Sequence, residues 1–564
     1  MSKNLTNEDI KVLEIIEKEW EYSLENIPEI ATFLGDHRYN DRLSDFSEEA
    51  MLKREKHCED VLTELKNINV SDLSEENSLN YYLFLEKTEN ELKDFKFKSY
   101  YFMINQMEGI QANLPHMIMM MPDKTEKDFE NYLSRLNKLP EHIDQTISIL
   151  KKGLIEKYTV PYAAMANVPS QIMGQIPDNF KDSPYYDLIN GNKSGLSNEL
   201  REKIETAIKE KVYPSFKKLN DFIENEYLKE TRQTIGLYDL PDGEAFYNHK
   251  LKVMTTTNLT AKEVHEIGLK EIERITIQMK ELVKETGFKG SYQEFLDDLK
   301  VNPKFYFDNS NDLMMTYRDI AKRTDKELPR FFKVLPRLPY GVEPVPEHQA
   351  PSFPTAYYMP SDMNMTRAGI FYANTSALHT RPKYEMEALT IHEAVPGHHL
   401  QIALSLELND LPKFRRMATA DYTGYVEGWG LYSEKLGAEM GFYKDPYSKF
   451  GQLSFEIWRA CRLVLDTGIH AFKWTRKQAI DFLKEHTGKS EEACVVEVDR
   501  YVSIPGQAAA YKIGEIKILE LRNKFEIKKG ADFDIREFHD VILRNGALPL
   551  NVLENYVDNY LSKN

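Results

Sequence analysis

Apolar residues recur every three to four positions over long stretches of this chain, the spacing that lays them along one face of an α-helix. Residues 7–33 carry this pattern, and residues 47–65 read as a more polar helix opened by a serine. It continues over 76–92, 126–151 and 198–227, the last behind the capping-type pair Ser197-Asn198. Another helix starts at Leu259-Thr260-Ala261-Lys262-Glu263 and reaches Thr286, and one more spans 422–440. Residues 329–360 break the rhythm, being rich in proline and poor in helical periodicity. Short strands are expected at Lys333-Val334-Leu335 and Ala356-Tyr357-Tyr358, with a third at Gly369-Ile370-Phe371-Tyr372. The fold class that follows is mainly α, with a small β-sheet. No internal repeat or low-complexity linker interrupts it.

Just beyond the proline-rich region stands Ile391-His392-Glu393-Ala394-Val395-Pro396-Gly397-His398-His399-Leu400-Gln401, with three of the fourteen histidines and a carboxylate within eight residues. A catalytic zinc ion accepts neutral imidazoles and carboxylates as three protein ligands and keeps a fourth position for water. A glutamate beside the first histidine suits a general base, here Glu393. The common zinc-protease signature sets its histidines four apart on one helix, whereas His398 and His399 lie six and seven after His392. On an unbroken helix the seventh residue returns to the same face about 10.5 Å along the axis, too far for one ion. Pro396 and Gly397 can break the helix and swing a histidine back. His398 is the favoured second ligand; His399 remains the competitor, as alternate ligand or as a group behind the ligands. A helix terminus with turn chemistry at a polar surface would carry the same residues.

A third ligand is available in Tyr425-Val426-Glu427-Gly428-Trp429-Gly430-Leu431-Tyr432-Ser433-Glu434. Glu427, Leu431 and Glu434 share one helical face. Glu427 in so apolar a setting is costly unless paired or metal-bound, and Glu434 could orient a liganding histidine.

The histidine motif and the 425–432 segment, together with Arg500-Tyr501 through Pro505-Gly506-Gln507-Ala508 to Tyr511, resemble the bacterial domain of unknown function 885 family. Leu240-Pro241-Asp242-Gly243 and residues 255–268 add to the resemblance, which spans nearly the whole chain. Such proteins are regarded as metallopeptidase-like, similar to thimet oligopeptidase and the thermophilic zinc carboxypeptidases. The resemblance implies a large, two-lobed helical zinc-peptidase-like fold with the sheet beside the metal helix. Thimet-like peptidases use a tyrosine and a histidine C-terminal to the metal motif to steady the oxyanion, and by order along the chain Tyr511 and His470 are the candidates.

Arg500 could grip a substrate carboxylate through two parallel hydrogen bonds, or pair instead with Glu497 or Asp499. Tyr358, beside Tyr357 in a strand-like stretch, could border an extended peptide. The methionines at 103, 107 and 119–121 read as core filling.

Composition changes this picture little. Chains beyond about 250 residues tend to split, so the 564 residues are expected as an N-terminal helical lobe, 1–250, and a catalytic lobe, 251–564. A net charge of −17 speaks against nucleic acid and against anionic membranes. The N-terminus is polar and acidic, without a secretory core, and no run of ~18 apolar residues occurs. Three scattered cysteines, Cys58, Cys461 and Cys494, suggest reduced thiols in a cytoplasmic protein. The expected activity is zinc-dependent hydrolysis of short peptides, of carboxypeptidase or oligopeptidase type. A zinc amidohydrolase acting on another amide, or a non-catalytic helical binding protein, would fit the same residues.

Overall fold

Hydroxyl side chains set where many helices begin. In the computed structural model, which describes residues 5–346, 350, 354–418 and 421–563, Thr6, Thr125, Thr260, Ser291 and Thr475 each open a helix with a capping box. Each satisfies backbone donors that a helix start leaves bare. The fold is mainly α, with one small sheet.

The chain forms two compact units. The first runs through Ile235 and adds Asp239–Gly243 and Pro412–Phe414. Its first predicted helix is two, Asn7–Asn26 and Pro28–Phe33, because Pro28 has no N–H to continue the ladder. Glu48–Lys66, Glu75–Lys96 and Glu126–Glu156 follow the expected segments, the last two running several residues further. Residues 198–230 are continuously helical but pass through two π-helical turns, Ile208–Val212 and Ile223–Tyr227. Of the methionines, Met117 and Met121 are buried, whereas Met107 and Met119 are exposed.

The second unit comprises Gly236–Tyr238, Glu244–Leu411 and Arg415–Asn564. Its helices include α1 (Ala261–Glu285), α2 (Met386–Glu393), α3 (His398–Leu406), α4 (Thr423–Glu439), α5 (Pro446–His470), α6 (Glu491–Ser503) and α7 (Gln507–Lys529), of which α2 and α3 carry the histidine motif. Helices α4 and α7 cross at glycines: a Cβ on Gly428 would lie 2.5 Å from Gly514 Cα, and one on Gly514 only 1.8 Å from Gly424 O. An ionic core ties α1, α4, α5 and α7 together. The fully buried Lys512 pairs with Glu271, Glu456 and Glu515, and Lys435 pairs with Glu456 and Glu515. A buried ammonium is tolerable only with such partners.

Three strands, β1 (Tyr340–Pro344), β2 (Ala356–Met359) and β3 (Gly369–Ala373), form a sheet of order β1-β3-β2. β1 runs parallel to β3 with Tyr340 opposite Gly369, and β2 antiparallel with Ala356 opposite Ala373. The strand expected at residues 333–335 is absent. The preceding helix, Ser310–Phe331, runs past Pro329, and the chain stays irregular up to Tyr340. Pro336 and Pro339 there lack the N–H that a ladder needs. Among the described residues no helix is long and apolar enough to cross a membrane.

Candidate metal centre

The histidine motif folds as two helices rather than one. α2 ends at Glu393 and α3 starts at His398. Between them Gly397 donates its N–H to Ile391 O at 3.0 Å, and His399 N–H bonds Ala394 O at 3.0 Å. A Cβ on Gly397 would sit 1.9 Å from His392 O, so only glycine fits this reversal. Trp429 of α4 fastens the link by donating its indole N–H to Pro396 O at 2.8 Å.

The reversal brings His398 to His392, with ring centroids 4.6 Å apart and nearly perpendicular planes. Glu427 arrives from α4. Its Oε2 lies 3.5 Å from Nε2 of His392 and 3.5 Å from Nε2 of His398. One ligand atom from each of the three residues lies within 4.8 Å of the others. Two ligands about 2.0–2.1 Å from one tetrahedral zinc are separated by about 3.4 Å, so both histidine–glutamate spacings match an edge of that tetrahedron.

Proton positions sharpen the point. His392 Nδ1–H donates to Glu434 Oε1 at 2.8 Å, which fixes Nε2 as the ring nitrogen that faces the Glu427 carboxylate. Glu427 Oε2 is buried and has no hydrogen-bond partner. Burial alone would lower the His392 pKa, but Glu427 and Glu434 outweigh it and hold the ring at about 9. Burial likewise pushes the Glu427 carboxyl up, yet His398 and His392 hold it well below the usual range. Electron-rich atoms converge on a point that demands positive charge, as a proton or as a metal ion. Gly430 makes room for this: its Cβ would lie 2.6 Å from His392 Cε1.

Glu434 is itself held in place. Arg459 Nη2 of α5 lies 3.6 Å from its Oε1, and Tyr443 donates a hydroxyl to its backbone oxygen at 2.8 Å. Glu393 closes α2 and is buried next to the cluster. Tyr511 of α7 is buried too. Burial raises its pKa, and the charge of Glu427 adds to the rise. Its oxygen accepts an N–H from Arg500 at 2.9 Å, while the Arg462 guanidinium lies 4.3 Å from its ring centre. Arg500 also donates to Gln507 at 2.9 Å and keeps a side-chain exposure of 21%.

Three expected residues are engaged elsewhere. His399 points to the sheet: Nε2–H donates to Leu338 O at 3.1 Å, and Nδ1 accepts from Tyr358 OH at 2.9 Å. Both ring nitrogens are spent, so the alternate ligand is corrected, and the Tyr358 hydroxyl is engaged with that ring. Tyr357 stacks on Tyr372. His470 is fully buried, with Nδ1 accepting from Leu237 N–H at 3.2 Å and Nε2–H donating to Tyr501 O at 2.9 Å. Eight residues beyond Arg462, it lies about 12 Å further along α5, and its role in the site is withdrawn. Sequence reasoning missed Gly430, Arg459 and Arg462. A glycine inside an otherwise regular helix was the available signal for Gly430; nothing local marks the arginines.

The profile of bacterial proteins of unknown function (DUF885) matches residues 28–557. The chain belongs to that family. A crystal structure of a proposed lipoprotein from Colwellia psychrerythraea superposes with a TM-score of 0.94 at 27% identity, covering 99% of this chain and 100% of that one. A proposed lipoprotein of unknown function from Shewanella oneidensis gives a TM-score of 0.75 at 17% identity, covering 98% and 99%, a likeness of fold alone. No curated protein sequence matches the chain.

Proposed function

We propose that this family member is a zinc-dependent metallopeptidase of short peptides, with His392, His398 and Glu427 as ligands. The supporting observation is the buried Glu427 Oε2, unbonded and 3.5 Å from two imidazole nitrogens. A bound zinc ion supplies Lewis acidity, lowering the pKa of a coordinated water and polarising the scissile carbonyl. Glu393 takes the proton of the attacking water and returns it to the leaving amine. Tyr511 steadies the oxyanion. Its oxygen accepts from Arg500, so its own hydroxyl proton is free to be donated. The exposed part of Arg500 binds the free carboxylate of the substrate, which favours carboxypeptidase action.

The test is hydrolysis of short peptides by tag-free protein loaded with one equivalent of zinc, with free and amidated C-termini compared. Glu393→Gln keeps the metal and loses activity by orders of magnitude, and Arg500→Gln loses the preference for the free acid. Equal activity in Glu393→Gln rules out its role as base. A cytoplasmic location is also proposed, since all three cysteines are free and buried. Cell fractionation separates that location from the envelope, which the naming of the two similar structures suggests.

A further inference from the structure

The ligand His398 leaves one question of chemistry open in its surroundings. If Nε2 binds a cation, the remaining ring proton sits on Nδ1, and a buried N–H needs an acceptor. For His392 that acceptor is Glu434. His398 Nδ1 is buried with no hydrogen-bond partner.

One turn further along α3, Gln401 is 2% exposed, and both its Nε2 and its Oε1 are buried without partners. A buried carboxamide with neither end satisfied loses its hydration without replacement, and native structures leave few such groups unexplained. Helix geometry places it on the relevant side. At 3.6 residues per turn, Gln401 lies about 60° around the axis from His398 and about 200° from His399, the residue that faces the sheet.

We propose that Gln401 is the positioning residue of the second ligand: the two side chains do not bond each other in this structure, and once Nε2 of His398 holds a cation the Gln401 Oε1 turns onto its Nδ1–H and fixes the ring with Nε2 toward Glu427. The inference rests on the metal reading but not on peptidase activity. It makes the two ligands asymmetric. His392 is backed by a carboxylate, which raises its basicity, and His398 by a neutral amide, which orients the ring without adding charge. Ser433 Oγ on α4 is also buried and unpartnered, and is the rival acceptor.

The experiment uses the full, tag-free chain and measures zinc affinity by competition with a chelator, alongside the melting temperature of the metal-free protein. Gln401→Met, close in shape and unable to bond, is expected to weaken zinc binding 10–100-fold. At the same time the metal-free protein melts no lower than wild type, because two unsatisfied polar groups are gone. Gln401→Glu, which keeps the acceptor, retains wild-type affinity or exceeds it. A merely structural Gln401 would move affinity and melting together. Unchanged affinity in Gln401→Met overturns the proposal, as does a loss matched by a fall in metal-free melting. So does a loss in Ser433→Ala that Gln401→Met does not share. Failure of wild-type protein to bind zinc defeats the metal reading itself, and is thereby distinct.

Discussion

Glu434 accepts the Nδ1 hydrogen of His392 at 2.8 Å, and this contact across two helices decides which ring nitrogen faces Glu427. Removing it frees the ring to turn and leaves Arg459 without its nearest carboxylate oxygen. Glu434→Ala is expected to cost 10–100-fold in zinc affinity, read by competition with a metal-binding dye. Glu434→Gln, which keeps an acceptor but no charge, falls between. Wild-type affinity in Glu434→Ala would show that the ring needs no such anchor.

The two neighbouring histidines should separate cleanly. His398→Ala loses zinc, measured as metal per chain after gel filtration. His399→Ala keeps zinc but melts lower, because it strands Tyr358 OH and Leu338 O at the sheet. The reverse pattern would exchange their roles.

Gly430→Ala reverses the usual sign of a helical substitution. Exchanging glycine for alanine inside a helix normally gains about 1 kcal/mol, but here the new methyl meets the His392 ring at 2.6 Å. Overpacking of this kind costs about 1–3 kcal/mol, so both the melting temperature and zinc content should drop. Gly397→Ala should be worse, since a backbone carbonyl at 1.9 Å cannot step aside as a side chain can.

Acid sensitivity has an identifiable contributor away from the cluster. His539 is fully buried, pairs with Tyr432 OH and Phe331 O, and is pushed down by burial to about 3. Above about pH 6.5 the ring is neutral in folded and unfolded chains alike. As pH falls from about 6.5 toward 3, the unfolded chain takes up a proton that the folded one refuses, so stability is lost across that window. His539→Gln should flatten the fall in melting temperature between pH 6.5 and 4. An unchanged slope would assign the loss to other groups.

Much of this arrangement is legible in the sequence because it depends on local periodicity. Glu427 and Glu434 share a face at seven residues' spacing, and Pro396-Gly397 announces a break between histidines that no straight helix could unite. What stays hidden depends on partners remote along the chain. His470 looks available until Leu237, 233 positions earlier, donates to one of its nitrogens. Tyr358 looks like a cleft residue until the sheet register sets its hydroxyl against His399. The strand expected at residues 333–335 fails for a different reason: a short β-prone stretch makes a strand only where a neighbour can pair, and the adjacent prolines prevent it.

The glycine crossing of α4 and α7 has a mechanical result. Glu427 precedes Gly428 directly, and Tyr511 lies one turn before Gly514, so the carboxylate and the phenol both spring from the spot where two main chains touch. Neither helix can slide past the other without a collision of backbone atoms. The spacing between carboxylate and phenol is thus locked like two teeth on a single casting.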